Sequence, residues 1–160
     1  MPLLINQNVV ADDKWLRVDA DTLAQHPEAA VIVPFDVFAA EQETLLAGER
    51  PLAVQINGDQ DFDLVLANLE RLSLVVIEFP AFTDGRGFSF ARILRRKGFT
   101  GEIRATGDVS HDRLEYMTRC GFDAFEISDE RFSDETCSVF GEITVHYQGS
   151  ADDERPIFRR

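Results

Sequence analysis

The sequence predicts an α/β fold in which about five strand–helix units build one mostly parallel sheet. Short runs rich in Val, Ile and Leu alternate with longer amphipathic stretches. The short runs lack a clean polar–apolar alternation, which is typical of strands buried on both faces. A repeat of about 20–25 residues indicates right-handed crossovers between parallel strands.

The first residues predict a β-hairpin. The apolar runs at 3–5 and 9–11 flank an Asn-Gln-Asn turn, and this arrangement is typical of two short antiparallel strands. Residues 15–18 predict a further short strand. The strands of the main sheet are then expected at 30–33, 52–56, 74–79, 102–106 and 124–127.

Helices are predicted between these strands at 37–46, 62–72, 88–97 and 112–120, with another at 130–140. Apolar residues such as Phe90, Ile93 and Leu94 recur at helical spacing and mark one buried face. Gly98 and Gly121 follow two of the helices, where a left-handed residue is favoured. Polar residues stand at the expected N-caps, namely Asp36, Asp61, Ser110 and Ser128.

Two architectures fit this pattern. Five units are too few for a closed eight-fold barrel, which needs roughly 200 residues or more. An open doubly wound sheet and a partial βα barrel both remain. Residues 143–147 predict a last strand, and we expect a single domain over 1–148 followed by a flexible, polar tail over 149–160.

The charge distribution limits the partners. The chain of 160 residues has a net charge of -13, which would repel nucleic acid and anionic membranes. Residues 71–121 are the exception, with nine basic and six acidic side chains. Most of this excess is expected to be a solvated helix face, formed by Arg92, Arg95, Arg96 and Lys97. No apolar run is long enough to span a bilayer and no secretion signal is visible, so a cytoplasmic location is expected.

The loop after the third main strand is the best candidate for a binding site. It contains Thr83, Asp84, Gly85, Arg86 and Gly87. Glycines allow the backbone to approach a ligand, and a guanidinium offers a planar fork of donors to an anion. Asp84 and Arg86 could equally form an ion pair that braces the turn.

Other candidates follow from the position of the strand ends. Functional groups gather where parallel strands end, and Asp36 and Asp61 are explained there as helix caps. Asp84, Asp108 and His111 are the weak catalytic candidates, His111 because its pKa is ordinarily near neutrality. Arg104 joins Arg86 as a candidate anion donor.

The sequence supports no particular cofactor or metal. The pattern Gly-x-Gly-x-x-Gly is incomplete because Phe90 stands at the third glycine, and a P-loop ending is missing. Three scattered histidines, with only Cys120 and Cys137 as thiols, lack metal-ligand spacing. No cofactor is predicted, although a flavin bound without a recognisable motif stays open. Whether the protein forms a homo-oligomer and what the two cysteines do also stay open.

Residues 79–126 carry a resemblance to a known family. The stretch FPAFTDGRGFSFARILRRKGFTGEIRATGDV from Phe79, and its continuation DRLEYMTRCGFDAFE from Asp112, resemble the bacterial domain-of-unknown-function family 934. Members are typically encoded beside a sulfite reductase haemoprotein and often carry an oxidoreductase label. The family has no settled catalytic residues.

The resemblance implies an accessory role in sulfate assimilation and cysteine biosynthesis. Such a protein would support the sulfite reductase haemoprotein or its electron donor. The alternative is a small partial-barrel enzyme that acts on an anionic substrate through the Asp84–Arg86 loop. The sequence shows no catalytic motif, so whether the protein is an enzyme stays open.

Overall fold

The computed structural model describes residues 1–133 and 135–159. Eight strands are found there: β1 (Leu3–Ile5), β2 (Asn8–Val10), β3 (Leu16–Arg17), β4 (Val31–Pro34), β5 (Leu52–Ile56), β6 (Leu72–Phe79), β7 (Glu102–Gly107) and β8 (Ala124–Glu126). The α-helices in the same ranges are α1 (Ala20–Leu23), α2 (Phe35–Ala40), α3 (Gln42–Ala47), α4 (Phe62–Leu66), α5 (Arg86–Arg96) and α6 (His111–Cys120). In this described part, no helix has the length and apolarity needed to cross a bilayer.

The strands form one sheet in the order β2-β1-β8-β7-β6-β5-β4-β3. Strands β3 to β8 are parallel and follow their order in the chain, whereas β1 pairs antiparallel with β2 and β8. The predicted hairpin is confirmed, and its turn residues Asn6 and Gln7 have φ of 48° and 68°. Two successive positive φ values match the right-handed twist of the strands they connect.

An ion pair across the sheet shows how strongly it curls. β3 and β8 are five strand spacings apart, which is about 24 Å in a flat sheet. Nevertheless, Nη2 of Arg17 on β3 lies 2.6 Å from Oε2 of Glu126 on β8. Because two side chains cannot span the flat distance, the sheet curls into a half barrel with a concave face.

The helices all cover the other, convex face. Their buried side chains belong to one hydrophobic core together with alternate strand residues. A second, smaller apolar cluster on the concave face contains no helical residue and consists of Trp15, Ile32, Ala53, Leu74 and Val76. The prediction of an α/β fold is confirmed, and of its two architectures the partial barrel is the one observed.

Several predicted elements differ from the structure. No α-helix occupies the described part of 130–140, where Phe132, Val139 and Phe140 pack on the core from irregular backbone and a short 3₁₀ turn. Residues 143–147 form no strand, since they pair with no strand edge, and Ile143 and Val145 are exposed.

Helix boundaries differ for local reasons. The predicted helix at 37–46 is divided at Glu41 into α2 and α3. The one at 62–72 ends at Leu66, and a short 3₁₀ turn over Leu69–Arg71 leads from it to β6. Asp36 lies in the first turn of α2 rather than at its N-cap. Asp61 does cap α4, accepting a 3.0 Å hydrogen bond from the Asp63 amide.

Candidate functional site

The predicted binding loop contains an ion-paired clasp between Asp84 and Arg86. Nε and Nη2 of Arg86 donate to the two carboxylate oxygens of Asp84 at 3.0 and 2.8 Å. Nη1 donates to Asp59 at 2.7 Å and to the carbonyl of Gly58 at 2.9 Å. Arg86 therefore ties the loop after β5 to the loop after β6.

This clasp matches the bracing ion pair that the sequence left open for Asp84 and Arg86. Each of the three guanidinium nitrogens of Arg86 already donates to a protein acceptor. An anion that binds Arg86 would have to displace the carboxylates of Asp84 and Asp59. Anion binding at this loop therefore stays a prediction.

The two glycines of this loop differ in their surroundings. Gly87 is buried in α5, and a Cβ there would lie 2.7 Å from the Phe79 ring and 2.8 Å from Ile77. Helix α5 can approach β6 closely only because Gly87 has no side chain. Gly85 precedes the helix with a φ of -95°, which any residue adopts, and Thr83 is exposed.

The clasp leads to a prediction for the titration of Asp84. Hydrogen bonds from the Arg86 side chain and amide lower the pKa of this carboxyl to about 2. We expect Arg86→Ala to raise the pKa of Asp84 toward its ordinary value of about 3.9. Carbon-detected NMR titration of the Asp side chains would measure this change. Asp36 serves as the internal control, and an Asp84 pKa that does not move in the variant would contradict the clasp.

Asp108 is engaged in a second ion pair at the same edge. Its carboxylate accepts a hydrogen bond from Arg131, which lowers the pKa of Asp108 and holds the carboxyl ionised at neutral pH. Arg113 lies beside it, donating to the Asp108 carbonyl at 3.0 Å. Its guanidinium packs within 5.1 Å of the ring centroids of Phe79, Phe82 and Phe88.

His111 begins α6 and is exposed. Among the described residues, no hydrogen bond or ion pair joins it to Asp84 or Asp108. The structure therefore places the three catalytic candidates at one edge of the sheet without connecting them as an acid–base system.

Arg104 lies elsewhere, on the concave face. Its side chain is completely buried, and it contacts Asp13 at 2.5 Å, Glu102 at 2.8 Å and Glu126 at 3.1 Å. Arg86 and Arg104 therefore belong to two different sites. The contacts of Arg104 extend into a network, here called the inner cluster, of Asp13, Arg17, Gln55, Glu78, Glu102, Arg104, Thr106 and Glu126.

The inner cluster connects both ends of the curled sheet. Glu126 accepts from Arg17 at 2.6 and 2.7 Å and from the Thr106 hydroxyl at 2.8 Å. Arg17 also donates to Gln55, whose amide in turn donates to Glu78 at 2.9 Å. The buried groups thus satisfy one another.

The pKa shifts in the inner cluster show which partner dominates. Burial by itself raises the pKa of Glu126, but the charge and hydrogen bonds of Arg17, with those of Thr106 and Arg104, lower it overall. Asp13 behaves in the same way, its burial being outweighed chiefly by Arg104. Burial by itself lowers the pKa of Arg104, but the hydrogen bonds and negative charges of Asp13 and Glu102 raise it overall. All three groups therefore stay charged at neutral pH.

The segment between β2 and β3 closes the concave face. It brings Asp13 to Arg104 and packs Trp15, only 7% exposed, against the apolar cluster. The indole Nε1 of Trp15 is buried without a hydrogen-bond partner among the described residues. Beside the inner cluster lies a cavity of about 240 Å³, lined by Met1, Leu3, Val10, Ala11, Asp13, Arg17 and Glu126.

The sequence analysis selected only Arg104 from the inner cluster. The sequence of β7 does contain a pattern that could have identified more of them. Its polar residues Glu102, Arg104 and Thr106 stand at every second position. Side chains two residues apart share a face of a strand. This spacing of two residues therefore indicates that β7 has one polar face, which is the concave one, and one apolar face, which is the convex one.

The two cysteines are both free and differ in burial. Cys120 is buried, which raises the pKa of its thiol and keeps it protonated at neutral pH. Cys137 is partly exposed and also unpaired. Among the residues described, no group of three or more His, Cys, Asp or Glu side chains could hold a metal ion.

These features define a class: an α/β half-barrel protein whose interior and strand-end loops are held by ion pairs. The chain belongs to the family described as bacterial protein of unknown function (DUF934), whose model matches residues 53–158. This membership confirms the resemblance seen in residues 79–126. A search of curated proteins found no match to the chain.

Proposed function

We propose that this protein is an accessory protein of assimilatory sulfite reduction, which acts by binding the sulfite reductase haemoprotein or its electron donor. The context of sulfite reduction comes from the family resemblance, and with it the expectation of a bacterial, cytoplasmic setting. The structural observations favour a binding role over a catalytic one.

One observation carries the preference for binding. A general acid or base must be able to reach the proton it transfers, whereas Asp84 and Asp108 are each engaged with an arginine. Their lowered pKa values also make them weak bases near neutral pH. The strongly acidic surface suits electrostatic steering toward a basic partner.

A growth experiment tests the proposed role. Deletion of the gene should impose a requirement for cysteine or sulfide that sulfite does not relieve, because the block lies at the reduction of sulfite. The measurement is growth on sulfate, sulfite, sulfide and cysteine as sole sulfur sources. Growth of the deletion strain on sulfate at the parental rate would contradict the proposal, provided the strain lacks a second route.

Co-purification tests the partner directly. A tagged chain from cells grown on sulfate should retain the reductase, detected by its haem absorbance, and lose it as salt rises because screening weakens the attraction between exposed charges. Tagged chain that retains neither reductase nor electron donor at low salt would contradict binding.

The alternative is a small enzyme that acts on an anionic substrate through the Asp84–Arg86 loop, where Asp84, Asp108 and His111 lie at one edge of the sheet. His111→Ala tests the catalytic assignment, since His111 is exposed and forms no hydrogen bond or ion pair through its side chain with any residue that the structure describes. An accessory protein with this change should restore growth of the deletion strain fully, whereas an enzyme using His111 as acid–base group would not. Calorimetry with sulfite, sulfate and phosphate, on the parent and on Arg86→Ala, tests the anion site itself.

A further inference from the structure

A groove between α5 and α6 has features that the proposed function does not use. It has a volume of about 430 Å³ and opens to solvent on the convex side of the sheet. Its lining residues come from α5 and α6 and are Phe88, Ser89, Arg92, Ile93, Arg96, Tyr116 and Cys120.

The arginines of this groove differ from the others in the chain. Arg17, Arg86, Arg95, Arg104, Arg119, Arg131 and Arg155 form ion pairs with carboxylates. Arg50, Arg71 and Arg113 donate to backbone carbonyls, and Arg159 packs on the Phe158 ring. Arg92 and Arg96 have no hydrogen bond, ion pair or ring contact with any residue that the structure describes.

Arg95 makes the contrast sharper, because the sequence assigned it to the same solvated face. Its guanidinium instead pairs with Asp123 and donates to the carbonyls of Phe99, Gly101 and Gly121. Arg92 and Arg96 are four residues apart, so their like charges lie close together on α5 and destabilise the helix when nothing compensates them. Two neighbouring cations without an opposite charge among the described residues therefore stand out in a protein of net charge -13.

The floor of the groove is aromatic. The rings of Phe88 and Tyr116 lie 5.3 Å apart between centroids, and Tyr116 is 56% exposed. Cys120 lies one turn further along α6 and lines the same groove. Exposed tyrosine beside arginine is the composition enriched at the centres of protein–protein interfaces.

We propose that the groove between α5 and α6 docks an acidic segment of a partner protein, with its carboxylates on Arg92 and Arg96 and an apolar side chain on the Phe88–Tyr116 floor. Charge complementarity argues for this occupant, because its carboxylates offer Arg92 and Arg96 the opposite charge that no described residue supplies. A short segment also meets less repulsion from the net charge of -13 than nucleic acid or an anionic lipid surface would. The open shape suits a protein segment, since small-molecule sites are enclosed clefts. This proposal does not depend on a role in sulfite reduction.

Selection from a random dodecapeptide library displayed on phage tests the proposal with the intact protein. The selected peptides should be rich in Asp and Glu together with an aromatic or large aliphatic residue. Synthetic copies should lose affinity by at least tenfold, measured by calorimetry, when Arg92→Glu and Arg96→Glu are combined. Tyr116→Ala should also lower the affinity for the peptides, because it removes an apolar contact on the groove floor without changing the charge.

Lys97→Glu is the control for each single reversal, because it reverses one positive charge at the end of α5 but lies outside the groove. It should leave peptide affinity within about twofold of the parent. Circular dichroism confirms that each variant is folded. The proposal is overturned if no peptide is enriched, if the enriched peptides are not acidic, or if Lys97→Glu weakens them as much as the double variant. Displacement of the peptides by millimolar phosphate would show a small-anion site and would overturn it as well.

Discussion

Replacing Arg104 by leucine will lower the free energy of unfolding by about 3–5 kcal/mol, because it removes one member of a buried ionic network. The Arg104 side chain is completely buried, and its loss leaves Asp13, Glu102 and Glu126 without the charge that they share. Leucine fills part of the space but offers no donor. Urea unfolding followed by far-UV circular dichroism at pH 7 would measure the change.

The pH dependence identifies the cause of this loss. The pKa values of Asp13 and Glu126 are lowered in the folded protein, so they stabilise it above their unfolded pKa values, which are about 4. That contribution disappears as pH falls through the lowered folded values. The difference in stability between parent and Arg104→Leu should therefore shrink below about pH 4.

A control variant separates burial from charge. Arg86→Leu removes the same charge from a guanidinium that is about half exposed, and exposed pairs contribute little. It should destabilise the protein much less than Arg104→Leu does. A loss below about 1 kcal/mol for Arg104→Leu at pH 7 would show that the inner cluster contributes little to stability.

The second large effect is expected for Trp15→Ala, which should cost about 3–5 kcal/mol as a large-to-small substitution in a core. Trp15 is the residue that covers the apolar part of the concave face, where it packs with Ile32, Ala53, Leu74 and Val76. Its removal would expose this cluster or leave a cavity. Thermal and urea unfolding by circular dichroism would measure the loss.

Trp15→Phe is the matched control. Phenylalanine keeps most of the apolar contact and removes the indole N–H, which is buried without an acceptor. Its cost should therefore be well below that of alanine. An alanine variant as stable as the phenylalanine variant would mean that the segment before β3 does not close the concave face.

Much of the fold could be predicted from local patterns. The predicted strand at Leu52–Ile56 is observed with the same bounds, because a short buried apolar run between turn residues allows one assignment. Gly98 and Gly121 mark helix ends, with φ of 85° and 116°. The region after β8 could not be predicted in this way, since its apolar side chains fill gaps in a core assembled by the rest of the chain.

The candidate site shows the same division. Spacing along the chain placed Asp84, Arg86, Asp108 and His111 at the ends of parallel strands, and the structure has them there. It could not show that Arg86 also holds Asp59, 27 residues earlier. Nor could the spacing show that Arg104 lies away from the strand ends, because the direction of its side chain depends on the pleat and curl of the whole sheet.

The sequence by itself determined the strand–helix alternation, the hairpin, the family and the excess of acidic charge. The alternation, the hairpin and the charge follow from residue composition and from periods of two and 3.6 residues, which act over short distances. The family follows from the resemblance of residues 79–126 to its members. Only the tertiary structure decided that the sheet is a half barrel, that Arg17 meets Glu126 and that Arg92 and Arg96 form no ion pair with any described carboxylate. Contacts between residues as far apart as 109 positions depend on how the sheet curls, and no local pattern encodes that curvature.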